Sequence, residues 1–247
     1  MVLRAISLLI CLLCSTVSLA EKKTNPQLDQ TIHQYLMDHP ETIIESLKNY
    51  QNQQMAQMKS QTQLAIKDHK QSIYDNNQVT VIGHPKAPIT LFEFMDYQCG
   101  HCKSMHTLLT DFIKQHPKVR LVVVELPIFG GNSTLAAKAA IAAGNQGQFS
   151  AFHKQLVEVK PGSLNQDSID QIAKSLGLNT KKFKADSESK QTQAIIDKNL
   201  ELAKTLHIMG TPFFIFSEKT SKLNPVIEGA TSQQDLEKQL SQLEHAP

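Results

Sequence analysis

Apolar residues fall into three patterns along this chain. Ala5 to Val17 is an apolar run behind Arg4, and Ser18-Leu19-Ala20 after it supplies small residues suited to cleavage. That is the pattern of a signal peptide over residues 1–20, with a mature chain from about Glu21. An uncleaved anchor is the alternative, but the run is short for a membrane-spanning helix. From Leu28 the period becomes helical. Leu28, Ile32, Tyr35 and Leu36 mark one helix, His39-Pro40-Glu41 breaks it, and Ile43, Ile44, Leu47 and Tyr50 carry the stripe onward. Six glutamines follow between Gln51 and Gln63, with Met55 and Met58 among them and Leu64 and Ile66 after. Helices this poor in large apolar residues must bury their stripe against the rest of the chain or against a second copy. A solvated helical spacer over residues 21–75 is the bland alternative.

From Gln78 the pattern turns to strands. Val79 to Ile82 predicts a short strand and Gly83-His84-Pro85 a turn; Ile89 to Met95 is β-branched and aromatic enough for a buried strand. A helix carrying Met105, Leu108, Leu109, Phe112 and Ile113 stops near His116-Pro117, and Val119 to Leu126 is an apolar run fit for a strand covered on both faces. This is a β-α-β unit. Residues 132 to 207 predict several helices, with Ser133 or Asn132 capping the first and Asp167 capping a later one. Strand signals return at Pro212 to Phe216 and Pro225 to Glu228, and an amphipathic helix closes the chain from about Ser232 to Leu243.

Composition changes little. The formal charge of +2 drops to +1 without Arg4, no basic cluster suggests nucleic acid, and Arg120 is the one arginine after the leader. The four cysteines change more. Cys11 and Cys14 lie in the leader, so the mature chain has Cys99 and Cys102. A loop of two residues is too short for that pair to staple the fold. An exported chain that keeps one vicinal pair points to redox chemistry.

The pair sits in Cys99-Gly100-His101-Cys102, where strand gives way to helix. A sulfur at a helix start faces unpaired N–H groups and the positive end of the helix dipole, which favour thiolate Cys99. Cys102, one turn on, can close a disulfide with it or resolve a mixed disulfide. A partly protonated His101 adds to the stabilisation of the anion. Glu93, six residues before Cys99, would be a carboxyl inside a sheet, held protonated or bound to a polar partner. Haem attachment fails because Lys103 follows Cys102 where a histidine is needed. A closed zinc site from Cys99, Cys102 and His106 lacks a fourth ligand, and the remaining histidines read as surface or capping residues. Neither a metal nor a cofactor is expected.

The segments Phe92-Glu93-Phe94-Met95-Asp96-Tyr97-Gln98-Cys99-Gly100-His101-Cys102 and Ile208-Met209-Gly210-Thr211-Pro212-Phe213-Phe214 are similar to those of DsbA-type thiol-disulfide oxidoreductases. With Tyr35-Leu36 and Pro40-Glu41 in the extension, residues 26 to 243 resemble the Com1-like and ScsC-like branch. The resemblance implies an α/β thioredoxin fold over residues 76–247 with a helical insertion at about 132–207, preceded by a helical dimerisation extension over 21–75. It implies a cis-proline at Pro212 and substrate binding by Thr211, Pro212 and Gly100. It implies catalytic Cys99, Cys102, His101 and Glu93, the last passing a proton to Cys102. The expected protein is a periplasmic oxidase and isomerase acting on cysteine-containing clients, with a membrane partner of the DsbB or DsbD type. A non-catalytic, dimeric, chaperone-like surface protein with a structural cysteine pair is the competing expectation.

Overall fold

The computed structural model describes residues 25–77, 79–160, 162–221 and 223–245. The expected leader, with Cys11 and Cys14, lies outside the described residues. The chain divides into two compact units between Gln54 and Met55, inside a long helix.

In the first unit α1 spans Pro26–Asp38. The Asn25 side chain caps it by accepting from the N–H groups of Gln27 and Leu28. His39 ends it, with its N–H bonded to Tyr35 O, and Pro40 opens α2, Pro40–Asn76. Proline fits there because the first helical N–H has no partner to lose. Ile32, Tyr35, Ile43, Leu47 and Tyr50 are all exposed.

In the second unit the remainder of α2 buries Thr62, Ile66 and Ile73. Five strands form one sheet: β1 (Val81–Ile82), β2 (Ile89–Met95), β3 (Val119–Glu125), β4 (Phe213–Glu218) and β5 (Val226–Glu228). Their order is β1-β3-β2-β4-β5. β2 and β3 are parallel, pairing Glu93 with Val123 and Met95 with Glu125, and the other pairings are antiparallel. Successive strand residues alternate faces. Leu91, Met95, Leu121, Val123, Phe214 and Phe216 therefore pack on one side, with α3 (Gly100–Gln115) and, after β5, α9 (Gln233–Glu244). Phe92, Phe94, Val122, Val124 and Ile215 pack on the other, where Ile66 and Ile73 of α2 meet them.

Between β3 and β4 come α4 (Gly131–Gly144), α5 (Phe149–Glu158), α6 (Gln166–Ser175), α7 (Thr180–Ser187) and α8 (Lys190–Thr205). Two expected caps are corrected. α4 starts at Gly130, whose φ of 65° suits glycine, and has no side-chain cap. α6 is capped by Asn165, which forms a reciprocal capping box with Ser168, so Asp167 lies in the first turn instead. At the end of α4, Gly144 passes so close to β1's approach that a Cβ there would stand 2.6 Å from Val79 O.

Candidate active site

β2 delivers the chain into a tight turn that is held from below by a buried acid. Asp96 accepts hydrogen bonds from Ser133 Oγ at 2.6 Å, Gln98 N at 2.7 Å and Phe129 N at 3.2 Å. One carboxylate thus ties the turn before the cysteines to the loop that enters α4. Cys99 is the N-cap of α3 and makes no side-chain cap. Its sulfur is free of the helix end, and the first-turn amides stay available to an anion.

The Cys99 thiol donates to Thr211 O at 3.3 Å, and the Thr211–Pro212 bond is cis. Thiol and proline loop, 112 residues apart in sequence, meet here. Gly100 and His101 are exposed. Only 7% of the surface of Cys99 is open. Cys99 belongs to the buried cluster that also holds Met95, Tyr97, Cys102 and Met105, which leaves the sulfur recessed. Both cysteines are unbridged, and Cys102 is fully buried. Burial pushes the Cys102 thiol far above the ordinary range. A hydrogen bond from the Asp96 backbone and the nearby Thr211 hydroxyl oppose that rise, and the charges of Glu93 and Cys99 add to it. The Thr211 hydroxyl meets full hydrogen-bond geometry with no described atom.

Glu93 lies on the same sheet face, 2% exposed. Burial, and then the neighbouring Cys99, push its carboxyl up to about 8. A group poised near neutrality can take or give a proton during thiol exchange. No cluster of three potential metal ligands occurs among the described residues.

Known proteins are similar to this chain in sequence and fold. The sequence profile of the DSBA-like thioredoxin domain matches residues 90–241. The chain belongs to that family. Disulfide bond formation protein D of Bacillus subtilis is 28% identical over 154 residues, 58% of this chain and 69% of that protein. The thiol-disulfide exchange protein alpha-DsbA2 of Wolbachia pipientis superposes with a TM-score of 0.67 at 26% identity, covering 76% of this chain and 98% of that one. The catalytic domain of Proteus mirabilis ScsC gives 0.61 at 26% identity over 73% and 97%. A curated match to the antiporter NhaA 3 of Salinispora tropica is 27% identical, and the chain spans only 22% of its length.

In this DsbA-like domain Cys99, Cys102, Glu93, Thr211 and Pro212 lie together, Gly100 adjoins them, and His101 is exposed at the start of α3. It also holds groups the sequence reading passed over. His153, expected at the surface, is buried, with Nδ1 2.8 Å from the Tyr97 hydroxyl, which donates to Glu125 Oε1 at 3.1 Å. The signal available was Glu125 itself, a charged residue closing the apolar run Leu121 to Val124.

Proposed function

We propose that this chain is a periplasmic thiol-disulfide oxidoreductase that forms, and as a dimer isomerises, disulfides in exported proteins. The observation that carries the reading is Cys99 at the head of α3, its sulfur 3.3 Å from the carbonyl of Thr211. In oxidation, a client thiolate attacks Cys99 Sγ of the Cys99–Cys102 disulfide. The S–S bond breaks, Cys102 leaves as a thiolate, and Glu93 returns a proton to it. A second client thiolate then attacks the client sulfur of the mixed disulfide and releases Cys99 as thiolate. Two electrons pass from client to enzyme, and a membrane partner of the DsbB type would remove them. Isomerisation begins instead from thiolate Cys99 and needs a partner of the DsbD type to keep it reduced.

The start of α3 offers unpaired amides to a sulfur anion at Cys99, while burial keeps Cys102 protonated until it is called on. Thr211, Pro212 and Gly100 border the sulfur, and the Thr211 backbone offers an edge on which an extended client segment can lie. The exposed stripe of Ile32, Tyr35, Ile43, Leu47 and Tyr50 fits a second copy, whose site would help hold a misfolded client.

Cys99→Ser tests the reading. It should abolish oxidation of a dithiol peptide and refolding of a scrambled-disulfide protein, whereas Cys102→Ser should trap a mixed disulfide with the client. Full activity of Cys99→Ser would leave a chaperone-like binding role and remove the redox one.

A further inference from the structure

Beneath the thiol pair lies a second acid that this chemistry does not use. Glu125 closes β3 and is wholly buried. Because Glu93 pairs with Val123 and Met95 with Glu125, the two acids are diagonal neighbours on one face of adjacent strands. Glu125 Oε1 contacts the Tyr97 hydroxyl at 3.1 Å, and that hydroxyl contacts His153 Nδ1 at 2.8 Å. Oε2 has no hydrogen-bond partner among the described residues. The His153 ring lies against His106, with centroids 5.1 Å apart. His106 is half-buried and lines a cleft of about 750 Å³ between α3 and α5.

The Tyr97 oxygen can serve this chain in two ways. Tyr97 donates to Glu125 while His153 Nδ1–H donates to Tyr97, or Glu125 protonated on Oε1 donates to Tyr97 while Tyr97 donates to His153. Both arrangements keep the Tyr97 oxygen satisfied, and passing from one to the other carries a proton along the chain. Bare Oε2 is the remaining oxygen through which Glu125 can give or take a proton.

We propose that Glu125, Tyr97 and His153 form a proton relay between Glu93 and the cleft between α3 and α5, behind the face that a client covers. The proposal rests on the role of Glu93 given above. After Glu93 has protonated Cys102, the client occupies the mouth of the site. Rotation of the Glu125 carboxyl, whose Oε2 no hydrogen bond among the described residues holds, then brings its proton to the Glu93 carboxylate at the diagonal position. Tyr97 donates its proton to Oε1, His153 Nδ1–H replaces it on Tyr97, and His153 Nε2 takes one from the cleft through His106. One proton enters for each one delivered, and no electron moves along the chain; reduction of the enzyme's clients runs the same steps outward. Burial favours this neutral traffic: it holds Glu125 well above the carboxylate range, with Asp96 and Glu93 adding to the effect and Tyr97 opposing it, and holds His153 down to about 3. The titratable and charged groups facing the relay are Glu93 and Asp96 on the thiol side, with the two cysteines beyond Glu93. On the cleft side they are His106 with Lys114, Lys154 and Glu158 around it.

Tyr97→Phe keeps the ring and removes the hydroxyl, and His106→Gln alters the half-exposed end with little risk to folding. Single-turnover oxidation of a dithiol peptide by the disulfide form should be followed in H2O and D2O across pH 6 to 9. The redox equilibrium with glutathione should be measured beside it. Tyr97→Phe should slow the reaction about a hundredfold, the low end of what a positioned proton donor contributes. Its solvent isotope effect should rise, and the redox equilibrium should stay in place, because a route changes speed alone. His106→Gln should show the same signature more weakly. Unchanged rates in both variants would overturn the relay, as would slowing matched by a displaced redox equilibrium, the mark of a structural role. Glu93→Gln separates the two readings. If it leaves rate and pH profile unchanged, the role of Glu93 itself fails; if it slows the reaction while Tyr97→Phe and His106→Gln do not, the relay alone falls.

Discussion

At the scale of single residues, the site is governed by what burial does to charge. Glu93 titrates near 8 in the folded chain against an ordinary 4.5, so between those values the folded state holds a proton that the unfolded state has lost. Stability must therefore fall as pH rises through that window, and the loss is complete above it. Glu93→Gln removes the effect. In the dithiol form the variant should match its parent near pH 4 and exceed it by a few kcal/mol at pH 8 to 9, measured as urea midpoints. Equal midpoints at both ends would show that Glu93 ionises normally. His153 works with the opposite sign. Its imidazole is held down to about 3 from 6.5, so it contributes stability that disappears as pH falls through that interval. His153→Phe, which retains the ring stacked on Phe149, should blunt acid unfolding. A pH profile as steep as the parent's would refute that assignment.

At the scale of elements, the residue pattern made β2 legible to the residue, since Ile89 to Met95 is apolar or β-branched at every position except Glu93 and stops at Asp96. The α3 start was legible too, because the cysteine spacing and the apolar positions from Met105 agree on it. The start of α4 was not. Ser133 is a good capping residue, but its hydroxyl is committed to Asp96, 37 residues earlier, and no local pattern reports such a contact. The same holds for Tyr97, Glu125 and His153, separated by 28 and 56 residues: each looks unremarkable until the fold joins them. Ser133→Ala tests the clamp. It removes the bond to Asp96 and the acceptor for Gln98 Nε2 at 2.8 Å, and should lower stability by about 1–3 kcal/mol. A denaturation midpoint within error of the parent's would mean that the turn before Cys99 is held by other contacts.

At the scale of the molecule, the long helix answers in two ways the question its composition raised. Ile66 and Ile73 are buried with Phe92, Phe94 and Ile215, while the apolar stripe of residues 28 to 50 stays open to solvent. Those exposed residues are the proposed seam between copies. Ile32→Glu with Leu47→Glu should turn a dimer into a monomer by light scattering without changing peptide oxidation, and a monomeric parent would dismiss the seam. The depth at which Cys99 sits has a further consequence for the proposed activity. A thiol carried on a finished globular surface is too blunt to enter such a recess, whereas one on a slender, unfinished stretch of chain slips in. Substrate choice would then be set by timing: newly exported polypeptides are served while still loose and ignored once they have closed up.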